Sequence, residues 1–406
     1  SATSVPWSDA AGARPRFARW LETTNEITRG FLAAGSIKGL INLAGGLPAA
    51  ETFPAGELAE VAKRAIRDFP GETLGYGPID GLPALRDELA RRFSTPSLRL
   101  SRENVLVTTS GMQGLDLVGK ILLEPGDLVA GQFPTYLGAI DAWRPREPVY
   151  RRLRFGDDAF DPVAGLAGAK FAYSVPNFSN PSGKLVGLPV REALVAAAHQ
   201  TGTWLVEDDP YGSLYYDCEP LPRLLDLAAT SGDSYDGPVI YLGTLSKEIA
   251  PGLRIGWVIA ASAVIEAMTI AKQGTDMCSS GVTQHMALAA MQSGIIERAQ
   301  PKIQALYRRR RDALCAAMSD QLSEWFEWEV PVGGMFVWAV ARDPGLDTDR
   351  LSELALKAGV TVSPSSVFDP ELDYRRAIRV NFTLNSPERL AEGIRRLATV
   401  LREMPG

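Results

Sequence analysis

A chain of 406 residues, 46% apolar and 22% charged with a net charge of −6, has a globular composition and enough length for one large domain and a smaller one. Two histidines and three scattered cysteines argue against a histidine zinc site, a Ser-His-Asp triad or a disulfide framework, and fit a reducing, cytoplasmic compartment. No apolar run reaches membrane-span length, no secretory order of basic then apolar residues opens the chain, and no basic block points to nucleic acid, so neither membrane nor nucleic-acid partners are expected.

In chain order, residues 1–45 read as an N-terminal arm with a helix in RFARWLETTNEITRGFLAAG. Over 46–290 the short apolar runs ENVLVTTSG, DLVAGQF, KFAYSVPNF, TWLVEDDPYG, PVIYLGTLS and RIGWVIAA are separated by amphipathic stretches such as MQGLDLVGKILLE and LPVREALVAAAHQTG. Strands alternating with helices predict a large α/β domain with a mostly parallel sheet. After about residue 290 a long basic helix leads to FEWEVPVGGMFVWAVA, VTVSPSS, AIRVNFT and a last helix, which predicts a smaller α+β domain over 291–406. The run Arg308–Arg311 reads as a solvated helix face. His199 reads as a solvated residue near a helix end, and His285 as a core or supporting residue.

In such sheets ligands bind beyond the carboxyl ends of the strands. There, VLVTTSGMQG places Thr109, Ser110 and Gly111 at a strand-to-helix turn, where backbone N–H groups suit a phosphate, although Thr and Ser also serve as plain N-caps. Asn180-Pro181-Ser182-Gly183 is a turn former. Glu207, Asp208 and Asp209 follow an apolar strand, and three adjacent acids repel one another unless a cation or a proton-bearing nitrogen is near. Lys247 ends VIYLGTLSK, and a buried ammonium is costly unless something pairs or uses it. Arg254 follows a Pro-Gly turn that can fold it back toward the lysine. An amine, a carboxylate, a phosphate-type turn, the hydroxyls of Thr244 and Ser246 and an arginine together fit pyridoxal 5′-phosphate. That cofactor forms a Schiff base with a lysine, needs a carboxylate at its ring nitrogen, and carries a phosphate.

The ordered motifs AGGLP (44–48), GYGPIDG (75–81), NPSG (180–183), EDDPYG (207–212), GTLSK (243–247), PGLRIGW (251–257), AKQGTD (271–276), GGMFVW (333–338) and IRVNF (378–382) carry a resemblance over nearly the whole chain. It resembles the fold-type I pyridoxal-phosphate aminotransferases of class I/II, and within them the 2-aminoadipate and kynurenine aminotransferase branch. The resemblance implies Lys247 as the Schiff-base lysine and proton shuttle, and Asp208 as the partner of the pyridine nitrogen. Tyr211 and Asn180 would contact the ring oxygen, and Tyr136 would stack on the ring. Ser110, Gly111, Met112, Thr244, Ser246 and Arg254 would surround the phosphate. Tyr76 would reach it from a second subunit, which implies a homodimer with shared sites. Arg379 would grip the substrate α-carboxylate, and Gly46 would let backbone approach the substrate.

Two departures bear on the reaction. The branch's Gly-Ser-Gln-Gln turn is Ser110-Gly111-Met112-Gln113 here, and Met112 has no donor for a phosphate. The loop SPSSVFDP (363–370) replaces a glycine-rich turn. The expected activity is transfer of an amino group from an L-amino acid to a 2-oxo acid. The alternative is β- or γ-replacement, elimination or oxidase-type chemistry on the same scaffold, for example on S-adenosylmethionine. Arg29 stands by spacing where aminoadipate enzymes meet a distal carboxylate, and equally reads as a solvated helix arginine. Related domains also occur behind a winged helix in transcription regulators. The roughly 40 residues before AGGLP hold no basic recognition helix, which argues against that class.

Overall fold

The computed structural model describes residues 15–23, 37–229 and 233–405. Its centre is a seven-stranded sheet in the order Val105–Thr108, Gly256–Ile259, Val239–Thr244, Trp204–Asp208, Phe171–Ser174, Leu128–Gly131 and Val149–Arg152. Gly256–Ile259 runs antiparallel to both neighbours, and the other strands are parallel to one another. Val105–Thr108 and Phe171–Ser174 are covered on both faces, which is why both are mainly apolar and buried at every residue. The edge strand Val149–Arg152 is half-exposed, carries VYRR, and has no such run to announce it.

A second sheet, antiparallel throughout, has the order Ser363–Pro364, Ala377–Asn381, Phe336–Ala341 and Phe326–Glu327. A two-stranded parallel pair joins Ile41–Asn42 to Val360–Thr361, so residues expected in the arm are tied to the C-terminal part of the chain. The 27-residue helix Ile295–Gln321 packs against Pro387–Glu403, and Leu314, Met318, Leu390, Ile394 and Leu397 share one core. Pro387 at the first turn and the Ser386 hydroxyl, which accepts from Arg389 N, start that last helix.

The basic run does not form one solvated face. Successive helix residues are about 100° apart, so four in a row point all round the axis. Arg308 and Arg309 are exposed, while Arg310 and Arg311 are buried. Arg310 pairs with Glu51 and donates to Thr383 O at 2.6 Å. Arg311 pairs with Asp217 and donates to Pro331 O at 2.9 Å. Arg311→Ala is expected to lower unfolding stability by about 2 kcal/mol, and Arg309→Ala by less than about 0.5 kcal/mol. Urea denaturation of the two variants checks this.

Candidate active site

The carboxyl ends of six strands lie on one edge of the large sheet, and Gly256, which starts the antiparallel strand, lies opposite both Thr108 and Thr244 there. A cavity of about 630 Å³ opens at this edge, and its lining includes Gly46, Tyr136, Asn180, Tyr211, Lys247 and Arg379. Lys247 follows the Val239–Thr244 strand, and its Nζ donates to Gly46 O at 3.1 Å. Burial, then the charges of Arg379 and Arg254, brings the pKa of this amine down to about 8.

Asp208 ends the adjacent strand and is buried. Burial pushes its carboxyl up to about 7, against the Tyr173 hydroxyl that donates to Oδ2 at 2.5 Å. The three acids of EDDPYG do not share one cation. Alternation along the strand parts them. Glu207 accepts Leu224 N at 2.8 Å and Leu225 N at 2.9 Å, while Asp209 accepts from Asn177 Nδ2 at 2.8 Å and from the Tyr241 hydroxyl at 2.5 Å. Burial raises Glu207 to about 8.

The strand-to-helix turn is built close against its neighbours. Ser110 has φ 72°, and its N–H donates to Arg254 O at 3.1 Å. A Cβ on Gly256 would lie 2.8 Å from Ser110 C and 2.9 Å from Gly111 N, so only glycine permits this approach. The Thr244 hydroxyl donates to Ser246 Oγ at 3.0 Å, and Arg254 is exposed. The first helical positions, Ser110 to Met112, belong to the turn of a helix that leaves N–H groups without intrahelical partners. Thr109 does not cap this helix with its side chain. Met112 lines the cavity, and its sulfur accepts from the Tyr136 hydroxyl at 3.4 Å. Burial, with Asp208 near, raises the Tyr136 phenol to about 12.

Arg379 comes from the small sheet, paired with Trp338 and Ser363. Its Nη1 donates to Asn180 Oδ1 and its Nη2 to Ala44 O, both at 2.5 Å. Its guanidinium lies 4.1 Å from the Phe336 ring centre and 4.7 Å from that of Phe368. Nε is buried without a partner, and no carboxylate pairs with this arginine among the described residues. Burial lowers its pKa to about 10. Asn180 also donates to the Tyr211 hydroxyl at 3.0 Å, which ties clamp and cavity together.

The residues anticipated from sequence thus fall into groups. Gly46, Met112, Tyr136, Asn180, Tyr211, Lys247 and Arg379 line the cavity. Ser110, Gly111, Thr244, Ser246 and Arg254 cluster at the turn. Asp208 stands behind Tyr173. Tyr76 is 87% exposed, outside these groups, and Arg29 lies outside the described residues. Sequence reasoning missed Tyr173, Ser363 and the link from Thr109 to Asp276, although Asp276 ends the AKQGTD motif. The donor set fits pyridoxal phosphate: an amine, a buried acid, a phenol with an amide, and a helix-start turn with hydroxyls and an arginine.

The family model described as aminotransferase class I and II matches residues 38–397. The chain belongs to this family. Aromatic-amino-acid aminotransferase 1 of Thermococcus litoralis is 35% identical over 90% of this chain and 88% of its own length. The α-aminoadipate aminotransferase of Thermus thermophilus, solved with N-(5′-phosphopyridoxyl)-L-leucine, superposes with a TM-score of 0.86 at 33% identity, covering 95% of this chain and 97% of that one. The kynurenine aminotransferase of Pyrococcus horikoshii superposes with a TM-score of 0.87 at 33% identity and the same coverage. The aminotransferase has the type I fold, uses pyridoxal phosphate, and transfers amino groups between amino acids and 2-oxo acids. Replacement, elimination or oxidase-type chemistry is not favoured by these relatives. No helix among the described residues is long and apolar enough to cross a membrane.

The lysine gives a pH test on the cofactor-free aminotransferase. Below about pH 8 the folded chain carries the full cost of a buried ammonium, and that cost is relieved as pH rises from about 8 toward the ordinary 10.5. Lys247→Met is therefore expected to raise the melting temperature of the cofactor-free protein by about 2 °C or more at pH 7, with the gain shrinking by pH 10. Thermal melts across that range check it.

Proposed function

We propose that Lys247, Asp208 and Arg379 carry the transamination, and that the preferred donors are L-amino acids with apolar or aromatic side chains. The observation that carries the first part is a buried arginine without a carboxylate, on the same cavity as a lysine of lowered basicity. Asp208 would hold a proton on the ring nitrogen, Tyr211 and Asn180 would hold the ring oxygen, and Tyr136 would cover the ring. Ser110, Gly111, Thr244, Ser246 and Arg254 would hold the phosphate, with Met112 offering only its backbone. When bound, pyridoxal phosphate supplies the electron sink for cleavage of the Cα–H bond.

The protein's part is binding and proton movement. Arg379 grips the donor's α-carboxylate and fixes its Cα, with Asn180 and the Ala44 carbonyl holding the guanidinium in place. Lys247 Nζ would hold the cofactor, and as a free amine it would be the base for the donor's Cα proton. A pKa near 8 leaves part of the amine neutral near neutral pH, as a base needs. The same groups run in reverse when a 2-oxo acid enters.

Side-chain preference follows from the rest of the wall. Leu40, Leu47, Leu137, Val367 and Phe368 line it, its acid Asp141 is already paired with Arg144 at 2.9 Å, and among the described residues the lining offers no cation beyond Lys247 and Arg379 to meet a second carboxylate. The aromatic-amino-acid relative and the phosphopyridoxyl-leucine complex support this reading.

A homodimer with Tyr76 acting across the interface is part of the same proposal. Leu74, Tyr76 and Met277 are exposed at 68%, 87% and 52%, an apolar surface suited to a second copy. The arm 1–45, the large unit 46–290 and the small unit 291–406 are its working divisions. The sheet strands from Val105 to Ile259 and those from Phe326 to Asn381 support the last two. Three free cysteines support a cytoplasmic setting.

The test is a half-reaction: holoenzyme mixed with one amino acid and no oxo acid, with the cofactor form read by mass spectrometry. Phenylalanine or leucine is expected to give stoichiometric pyridoxamine phosphate at least about tenfold faster than glutamate. No pyridoxamine phosphate from any donor would overturn transamination at this site. Glutamate as fast as phenylalanine would overturn the side-chain reading alone. Mixing Tyr76→Ala with Lys247→Ala subunits is expected to restore about a quarter of wild-type activity, because half the dimers then hold one intact shared site. No gain over Tyr76→Ala would place that tyrosine outside the neighbour's site.

A further inference from the structure

We infer that Asp276 is a positioning residue that sets the turn Thr109–Gln113 in its phosphate-holding shape. The inference rests on the phosphate role proposed above for that turn. Ser110, a non-glycine residue at φ 72°, needs support from outside, since this conformation is unfavourable for an L-residue. Its local ties are the N–H to Arg254 O at 3.1 Å and its carbonyl, which accepts from the Thr108 hydroxyl at 2.8 Å.

The remaining ties meet on one carboxylate far away in sequence. Asp276 Oδ2 accepts from the Thr109 hydroxyl at 2.8 Å and from Gln113 Nε2 at 2.9 Å. Gln113 Oε1 accepts the Thr109 N–H at 2.7 Å, so these residues close a ring around the helix start. The Thr109 hydroxyl also lies 2.9 Å from Ser279 Oγ. Asp276 Oδ1 accepts from Lys272 Nζ at 2.6 Å, and Lys272 is fully buried, so the carboxylate has a fixed place.

This arrangement explains two facts. Thr109 does not cap its own helix because its hydroxyl is turned to Asp276. Gln113 does not face the phosphate position, because both ends of its amide are occupied, one by Asp276 and one by the Thr109 backbone. Thr109 and Gln113 therefore bracket Ser110, Gly111 and Met112, and Asp276 holds both brackets. The carboxylate's negative charge next to an anion site is balanced by Lys272.

The experiment titrates cofactor-free protein with pyridoxal phosphate and, separately, with pyridoxal, and follows absorbance to obtain each Kd. Asp276→Asn offers one acceptor oxygen where the turn and Lys272 use two. It is expected to weaken pyridoxal phosphate binding tenfold or more and pyridoxal binding by less than twofold. Thr109→Val, which deletes one bracket and leaves Lys272 paired, is expected to act in the same direction. The double variant is expected to be no weaker than the weaker single one. Pyridoxal phosphate affinity within twofold of wild type in both single variants would overturn the inference. So would equal losses for the two ligands, which would mark general loosening. A wild type with no preference for the phosphorylated form would overturn the phosphate reading of the turn and this inference with it.

Discussion

Two cations held out of water on one cavity wall set the terms for the rest of this structure. Burial lowers the proton affinity of both Lys247 and Arg379, the charge of Arg379 lowers that of Lys247 further, and no carboxylate among the described residues relieves Arg379. Isolated in this way, buried charges are unfavourable by several kcal/mol. The extensive apolar cores on both faces of the large sheet and beneath the small one offset that cost. A chain that only needed to fold would not keep both groups. In the role proposed for Arg379, an incoming carboxylate would remove that penalty and concentrate binding energy where a donor must be oriented.

The architecture delivers these charges from two directions. The large sheet brings Lys247, Asp208 and the Ser110 turn to one edge because parallel strands end together. The small sheet brings Arg379 in from the opposite side, in register with Trp338 and Ser363. Asn180 joins the two, accepting from Arg379 and donating to Tyr211. In the proposed roles, a substrate held at Arg379 would report to the ring-oxygen contact through this one side chain. Gly256 matters for the same reason. Any side chain there would push the Ser110 turn away from the segment that leads from Arg254 into the strand Gly256–Ile259.

How much was legible in the sequence depended on whether the signal was local. Strands buried on both faces, such as FAYS and VLVT, announce themselves by composition. VYRR does not, because that strand lies at a half-exposed edge, whereas the other edge strand, VLVT, is covered. The four consecutive arginines looked uniform, yet the helical period sends two of them into buried pairs with Glu51 and Asp217. Glu207 looked like part of an acidic cluster in need of a cation, yet its partners are the N–H groups of Leu224 and Leu225, which no spacing rule connects to it. The cavity residues were found because motifs fix their types and order. Tyr173 and the Thr109–Asp276 link were not, because each joins segments distant in sequence and each residue alone passes for core, cap or surface.

Met112 shows how one departure in the turn can be absorbed. A thioether offers a phosphate nothing, but here it lines the cavity and takes the Tyr136 hydroxyl. That contact ties the aromatic ring proposed to cover the cofactor to the turn proposed to hold its phosphate. A polar residue at 112 would spend its donor on the anion and leave the Tyr136 hydroxyl to find another partner inside a largely apolar wall. The sulfur therefore trades a phosphate contact for a fixed ring. It keeps that end of the cavity consistent with the leucines, Val367 and Phe368 around it. The same logic makes Asp276 more important, since a turn with fewer side-chain donors depends more heavily on the exact placing of its backbone N–H groups.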